Sequence, residues 1–107
     1  MSASGLDAFG RYSEPALLVL VSLASGPKHG YAIMDDVKRL AHVQLGPGTL
    51  YGALARLERL GLVEALPATD RRRPYRLTPT GTRVLHAELN SLRRITETGL
   101  ARLAAAT

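Results

Sequence analysis

Apolar residues recur along this chain in four blocks with helical spacing, separated by short stretches rich in Gly and Pro. The clearest block is 46–63, GPGTLYGALARLERLGLV. Leu50, Leu54, Leu57 and Leu60 follow the i, i+4, i+7, i+10 spacing of one buried helix face. Pro47 suits the first helical position, because its missing N–H would have no intrahelical partner there. Gly46 is an acceptable N-cap, and Gly61 can take the left-handed conformation that ends a helix. The opposite face carries Gly48, Tyr51, Gly52, Ala55, Arg56 and Arg59. Gly52 costs about 1 kcal/mol relative to Ala in a helix interior, so this face is not built for solubility alone. Small residues flanked by Thr, Tyr and Arg let a backbone come close to a partner that carries phosphates and base edges. The pattern predicts a recognition helix for a DNA groove.

The other blocks supply its surroundings. Residues 1–12 are weakly patterned; Leu6 and Phe9 suit a short helical arm or no fixed structure equally well. A first helix is predicted over 14–24, with Ser13 as N-cap, Pro15 in the first turn and Ser25-Gly26-Pro27 as the stop. Leu17, Leu18, Leu20, Val21 and Leu23 surround most of it, so it is a core helix. A second helix is predicted over 28–40, with Ile33, Val37 and Leu40 inward and Asp35, Asp36, Lys38 and Arg39 toward water. The alternation in 42–45 allows a brief strand. Residues 62–66 and 75–78 read as an antiparallel pair joined by a turn-rich loop that holds Arg71, Arg72 and Arg73. Pro74 cannot donate to a ladder and belongs at an edge or a strand start. A two-stranded ribbon with a basic tip, directly after a recognition-type helix, is a wing.

The last block is a long helix that opens with Thr78 as N-cap and Pro79 behind it. Leu85, Leu89, Leu92, Ile95 or Thr96, and Leu103 keep a seam with three- and four-residue steps. Such a helix over 79–105 is roughly 40 Å long. The three-helix body before it, of about 65 residues, is only about 23–25 Å across by the usual scaling. Much of the seam overhangs, and a second copy of the chain is its simplest cover. The alternatives are a helix folded back on its own domain or broken at Gly99.

Composition agrees with a nucleic-acid partner. Lys and Arg total 14 against 9 for Asp and Glu, a net charge of +5, and the isoelectric point is near 10.2, within the basic range of such binders. The cations are almost all Arg, whose planar fork suits phosphates and guanine edges, although high-GC codon usage gives the same bias. With no Cys, disulfides and zinc–thiolate sites are excluded. The apolar run 16–24 is too short to span a bilayer and follows no signal-peptide pattern, so the expectation is a cytoplasmic, nucleoid-associated protein. His29, His42 and His86 stand apart without ligand spacing, and no nucleophile–base pair or phosphate-cradling loop occurs. Neither metal, cofactor nor enzymatic activity is expected.

Candidate DNA-contacting residues follow from position. Gly48 offers a backbone N–H at a helix N-terminus. Thr49 and Tyr51 lie where helix-turn-helix proteins reach base edges and phosphates, though the Tyr51 ring also suits packing between the second and third helices. Gly52 permits close approach, Arg56 can follow the backbone, and Arg59 suits solvent nearly as well. Lys28 and Tyr31 begin the helix that crosses the backbone in this motif. Arg71, Arg72 and Arg73 are placed to enter the minor groove or grip its phosphates. His29 is read as a structural hydrogen-bonding residue that holds the turn after Pro27.

Four segments in series, His29-Gly30-Tyr31, Pro47-Gly48-Thr49-Leu50-Tyr51, Leu57-Glu58-Arg59-Leu60-Gly61-Leu62 and Tyr75-Arg76-Leu77-Thr78-Pro79-Thr80-Gly81, resemble the PadR family of bacterial transcriptional regulators. The resemblance spans 13–86, and the single C-terminal helix resembles the family's short subgroup. It implies a winged helix-turn-helix DNA-binding domain over 13–78 and a dimerisation helix over 79–107. The implied protein is a homodimer, usually a repressor, on an inverted-repeat operator. Some relatives hold flat aromatic or phenolic effectors between dimer halves; here there is no Trp, and 79–107 has no aromatic residue, so a stacking pocket is not expected. Two features depart from the family pattern: Gly46 stands where Ser or Thr is the common cap, and Pro74 interrupts the returning wing strand. The competing function is a winged helix devoted to protein contacts, whose recognition face should be acidic or apolar; here it is small and basic.

Overall fold

A computed structural model describes residues 14–106; the arm over 1–12 and the expected Ser13 cap lie outside them. Helix α1 (Pro15–Leu23) has Glu14 at its cap position, without a side-chain cap bond, and Pro15 in its first turn. Ala16, Leu18, Val19, Leu20 and Leu23 are buried, so α1 is the post around which the other helices pack. Gly26, at φ +137°, redirects the chain into a two-residue strand, β1 (Lys28–His29).

Here the structure departs from the pattern-based expectation. The second helix, α2 (Gly30–Ala41), starts two residues later than predicted, because His29 is extended (φ −81°, ψ 165°) and serves as its N-cap. A two-residue strand has no period to be read from sequence. Ile33 and Val37 are buried, whereas Leu40 is 43 % exposed; in the last turn of α2 it is Ala41, not Leu40, that packs against the core. His42 takes the left-handed conformation at φ 56°. The connector 42–45 is irregular rather than a strand, and it delivers Leu45 to the core.

Helix α3 (Pro47–Arg59) buries Leu50, Ala53, Leu54 and Leu57. It ends as its Gly predicts: Gly61, at φ +75°, donates to Glu58 O at 3.0 Å, and Leu62 N–H reaches back to Leu57 O at 2.9 Å, a Schellman termination. Because the chain leaves the helix there, Leu60 is 63 % exposed instead of completing the buried stripe.

The expected ribbon is present with an extra strand. β2 (Val63–Ala65) pairs antiparallel with β3 (Pro74–Leu77), Glu64 opposite Arg76, and these two side chains form an ion pair at 2.7 Å. β1 takes the other edge of β3, so the sheet has three strands in the order β1-β3-β2. Pro74 stands at the start of its strand, where its missing N–H costs least. At the tip, Thr69 and Arg72 exchange two backbone hydrogen bonds of 2.8 Å, and Asp70 and Arg71 between them have φ of 50° and 65°. This is a type I′ hairpin turn, made here without Gly.

Helix α4 (Pro79–Ala106) runs 28 residues without a break at Gly99, about 42 Å. Thr78 caps it: its Oγ1 accepts the Gly81 N–H at 2.9 Å while its hydroxyl donates to Gly61 O at 2.6 Å. Leu85 is buried in the core of its own domain, so this first member of the expected seam is not on the exposed stripe. The fold is a winged helix-turn-helix carrying one long C-terminal helix.

Candidate nucleic-acid interface

α3 opens at Pro47 behind Gly46, which makes no side-chain cap bond, and closes in the Schellman turn; its outward face is the one the pattern predicts. Gly48, Thr49, Tyr51, Gly52, Ala55, Arg56 and Arg59 are all exposed. Nothing lies within 4 Å of where a side chain on Gly48 or Gly52 would start, so this backbone is open to close approach.

Apart from Gly48 and Lys28, the predicted site residues fall into two groups. Tyr31 and Tyr51 join Arg71, Arg72 and Arg73 around a cleft of about 300 Å³ between the wing tip and the starts of α2 and α3. Tyr31 is 73 % and Tyr51 48 % exposed. Tyr51 leans over the first turn of α2, where only a glycine, Gly30, leaves room for its ring. Thr49, Gly52, Arg56 and Arg59 instead line a shallow depression on the flank of α3 that ends at Pro15. Three arginines and two phenol hydroxyls in one cleft form a donor-rich surface suited to anionic oxygens.

Two candidates are engaged elsewhere. The Lys28 ammonium turns inward to Ser22 O and to Ser25 Oγ at 2.6 Å, fastening β1 to the end of α1. Arg56 lies 3.8 Å from Glu14 Oε1, a solvent-exposed pair that contributes little to stability. Asp36, read from sequence as solvated, accepts a 2.8 Å hydrogen bond from the hydroxyl of buried Ser22. His29 was expected to hold the turn after Pro27; its Nδ1 instead lies 3.4 Å from the Ala32 N–H in the first turn of α2. Its second contact, Nε2 to Arg72 Nη1 at 3.3 Å, had no sequence signal, since it depends on the register of the wing.

Tyr75, on β3 opposite Lys28 and Ala65, is half-buried behind this surface. Burial pushes its phenol above the ordinary tyrosine value; Glu58 and Tyr51 add to the shift and Arg73 works against it.

Beyond the domain, α4 exposes Leu89, Ile95, Leu100 and Leu103. Leu92 is half-buried and lines an apolar groove of about 440 Å³, with Leu17 and Leu20 of α1 and Leu57 and Leu60 from the end of α3.

The family described as the transcriptional regulator PadR-like family matches residues 19–87. A 37.1 kDa protein in transposon TN4556 of Streptomyces fradiae is 47 % identical over 85 residues, which cover 79 % of this chain and 25 % of that protein. The transcriptional activator GvpE2 of Halobacterium salinarum is 32 % identical over 92 residues, 86 % of this chain and 47 % of that protein. The chain thus spans about a quarter and about half of these relatives' lengths. A crystal structure of a PadR family transcription regulator from Clostridium difficile R20291 is similar at a TM-score of 0.74 with 26 % identity, covering 83 % of this chain and 97 % of that one.

Proposed function

Because this chain belongs to the PadR-like family of transcriptional regulators, we propose that it works as a homodimer which binds an inverted-repeat DNA operator and represses from it. The family and the fold are those of transcription regulators, not of enzymes. The observation that carries the reading is the cleft in which Tyr31, Tyr51 and Arg71, Arg72 and Arg73 converge beside the start of α3. In this arrangement Thr49 and the open backbone at Gly48 and Gly52 meet base edges, and Arg56 follows the phosphates after leaving Glu14. Lys28 holds the frame rather than a phosphate. The exposed Leu89, Ile95 and Leu103, with Leu92 beside them, form the dimer seam on α4, and Leu85 anchors that helix to its own domain. A twin on this seam presents two α3 helices to successive major grooves, about 34–36 Å apart.

Selection of genomic fragments followed by gel-shift titration tests the reading. A dimer making about 6–10 phosphate contacts loses roughly 10³–10⁵ in affinity between 50 and 200 mM salt. A flat salt response defeats DNA binding as the function. Arg72→Ala should weaken all sequences alike, whereas Thr49→Ala should reorder operator preference. The relative named a transcriptional activator favours a second reading with the opposite sign, and a reporter driven from the selected site decides between the two.

A further inference from the structure

We propose that His29 is a positioning residue that ties the wing to α2, its ring holding Arg72 in the free protein and passing that bond to the helix cap when Arg72 leaves. The ring lies between two donors on opposite edges. Ala32 N–H points at Nδ1 from 3.4 Å, and the Arg72 guanidinium lies 3.3 Å from Nε2. A neutral imidazole has one acceptor nitrogen, the other bearing the proton. It therefore satisfies one of these donors at a time. With the proton on Nε2, the ring caps α2 and turns an N–H against the guanidinium. With the proton on Nδ1, it accepts from Arg72, and the Ala32 amide loses its cap. A hydrogen bond from a charged donor is the stronger of the two, so the free protein carries its proton on Nδ1.

The consequence is mechanical. Arg72 is one of the two residues whose paired backbone bonds close the wing turn, so its side chain reports where the wing is. His29 is half-buried and immediately precedes α2, so its ring follows the start of that helix, while its backbone pairs with Pro74 at the base of the wing. An anionic oxygen that draws Arg72 away from Nε2 moves the ring proton to Nε2 and frees Nδ1 for Ala32 N–H. Capture of a phosphate by the wing thereby closes the first turn of α2, the turn that carries Tyr31. This last step rests on the DNA-binding reading; the link between His29 and Arg72 does not.

The test is ¹⁵N spectroscopy of the histidine rings in the full chain at a pH where they are neutral. Free wild-type protein should give the signature of a protonated Nδ1 at His29, and Arg72→Ala should convert it to protonated Nε2 and slow hydrogen exchange at the Ala32 amide. The rings of His42 and His86 should not change. A short random-sequence duplex at low salt should produce the same conversion in wild type and none in Arg72→Ala. His29→Asn keeps an N-cap acceptor but is too short to reach Arg72. In DNA binding the double variant His29→Asn/Arg72→Ala should match Arg72→Ala alone within about twofold. An unchanged tautomer in Arg72→Ala, or single-variant effects that multiply in the double variant, overturns the proposal. Failure of any duplex to bind defeats the functional reading instead, and the comparison of the two free proteins still decides this one.

Discussion

The hydroxyl of Tyr51 occupies the place where a side chain on Gly30 would begin. A Cβ built on Gly30 falls 2.8 Å from Tyr51 Cζ and closer still to Oη. The start of α2 and the second turn of α3 are thus interlocked by a residue that has no side chain, and the phenol is held at the mouth of the arginine cleft.

Gly30→Ala should separate folding from binding. The tyrosine ring is at the surface and can swing aside, but the new methyl also lies 3.3 Å from Cδ2 of the buried Leu50, so a modest loss of about 1 kcal/mol is expected. Displacing the phenol from the cleft should weaken DNA binding about tenfold, the worth of one hydrogen bond to a charged group. Thermal melts run beside anisotropy titrations check this; unchanged binding by the folded variant would contradict it.

Gly81→Ala should behave in the opposite way. A Cβ there meets backbone, lying 2.8 Å from the carbonyl carbon of Leu62 and closer to its oxygen, and no rotamer change relieves that. A loss of about 3 kcal/mol is expected in chemical denaturation, at the upper end for overpacking. Thr78→Val, which removes the cap and the hydroxyl donated to Gly61, should cost about 1–2 kcal/mol, and Thr78→Ser should restore most of it.

Arg71 holds a left-handed conformation that costs an ordinary L-residue about 1–2 kcal/mol. Arg71→Gly should therefore stabilise the domain by about 1 kcal/mol while lowering the salt slope of DNA binding by about one per protomer. Denaturation and salt titration of the same variant test both halves; a destabilised variant would mean the arginine side chain holds the turn.

Alkaline pH should loosen the sheet through Tyr75. Its folded-state pKa is raised, first by burial and then by Glu58, so the native state keeps a proton that the unfolded chain gives up near pH 10. The resulting stability is complete below pH 10 and disappears as pH rises through the higher folded value. Tyr75→Phe should remove this part of the alkaline loss, measured by denaturation between pH 9 and 11.

Ile95→Glu combined with Leu103→Glu should yield a folded monomer in sedimentation, because both side chains are exposed in the single chain and contribute nothing to its core. Binding to an inverted repeat should collapse toward half-site affinity. A dimer that persists would move the interface to the groove beside α1.

Long periodic elements were legible from the chain alone, and positions set by contact were not. Leu50, Leu54 and Leu57 announced α3 because a helix of 13 residues repeats its buried face several times. Pro47, Gly61 and the Thr78–Pro79 pair marked ends through backbone chemistry that is local to each residue. β1 was invisible because two residues carry no period. The burial of Leu85 and the exposure of Leu60 and Leu40 depend on where neighbouring helices stop. The candidate site divides in the same way. The small outer face of α3 was readable, but Lys28 turns to Ser22 and Ser25, and Arg72 meets His29 across 43 positions of sequence. Those partners are chosen by the turn at Gly26 and the register of the wing.

The joint at Thr78 and Gly81 gives α4 the character of a pointer. Its root is pinned to the residues that end α3, by the bond from Thr78 to Gly61 and the backbone contact between Gly81 and Leu62. Beyond Leu92 its residues stand clear of the domain. On a rod of about 42 Å, a tilt of a few degrees at the root is magnified into a displacement of ångströms at the tip. The same leverage runs backward, so a modest push near Leu103 reaches the end of α3 as torque.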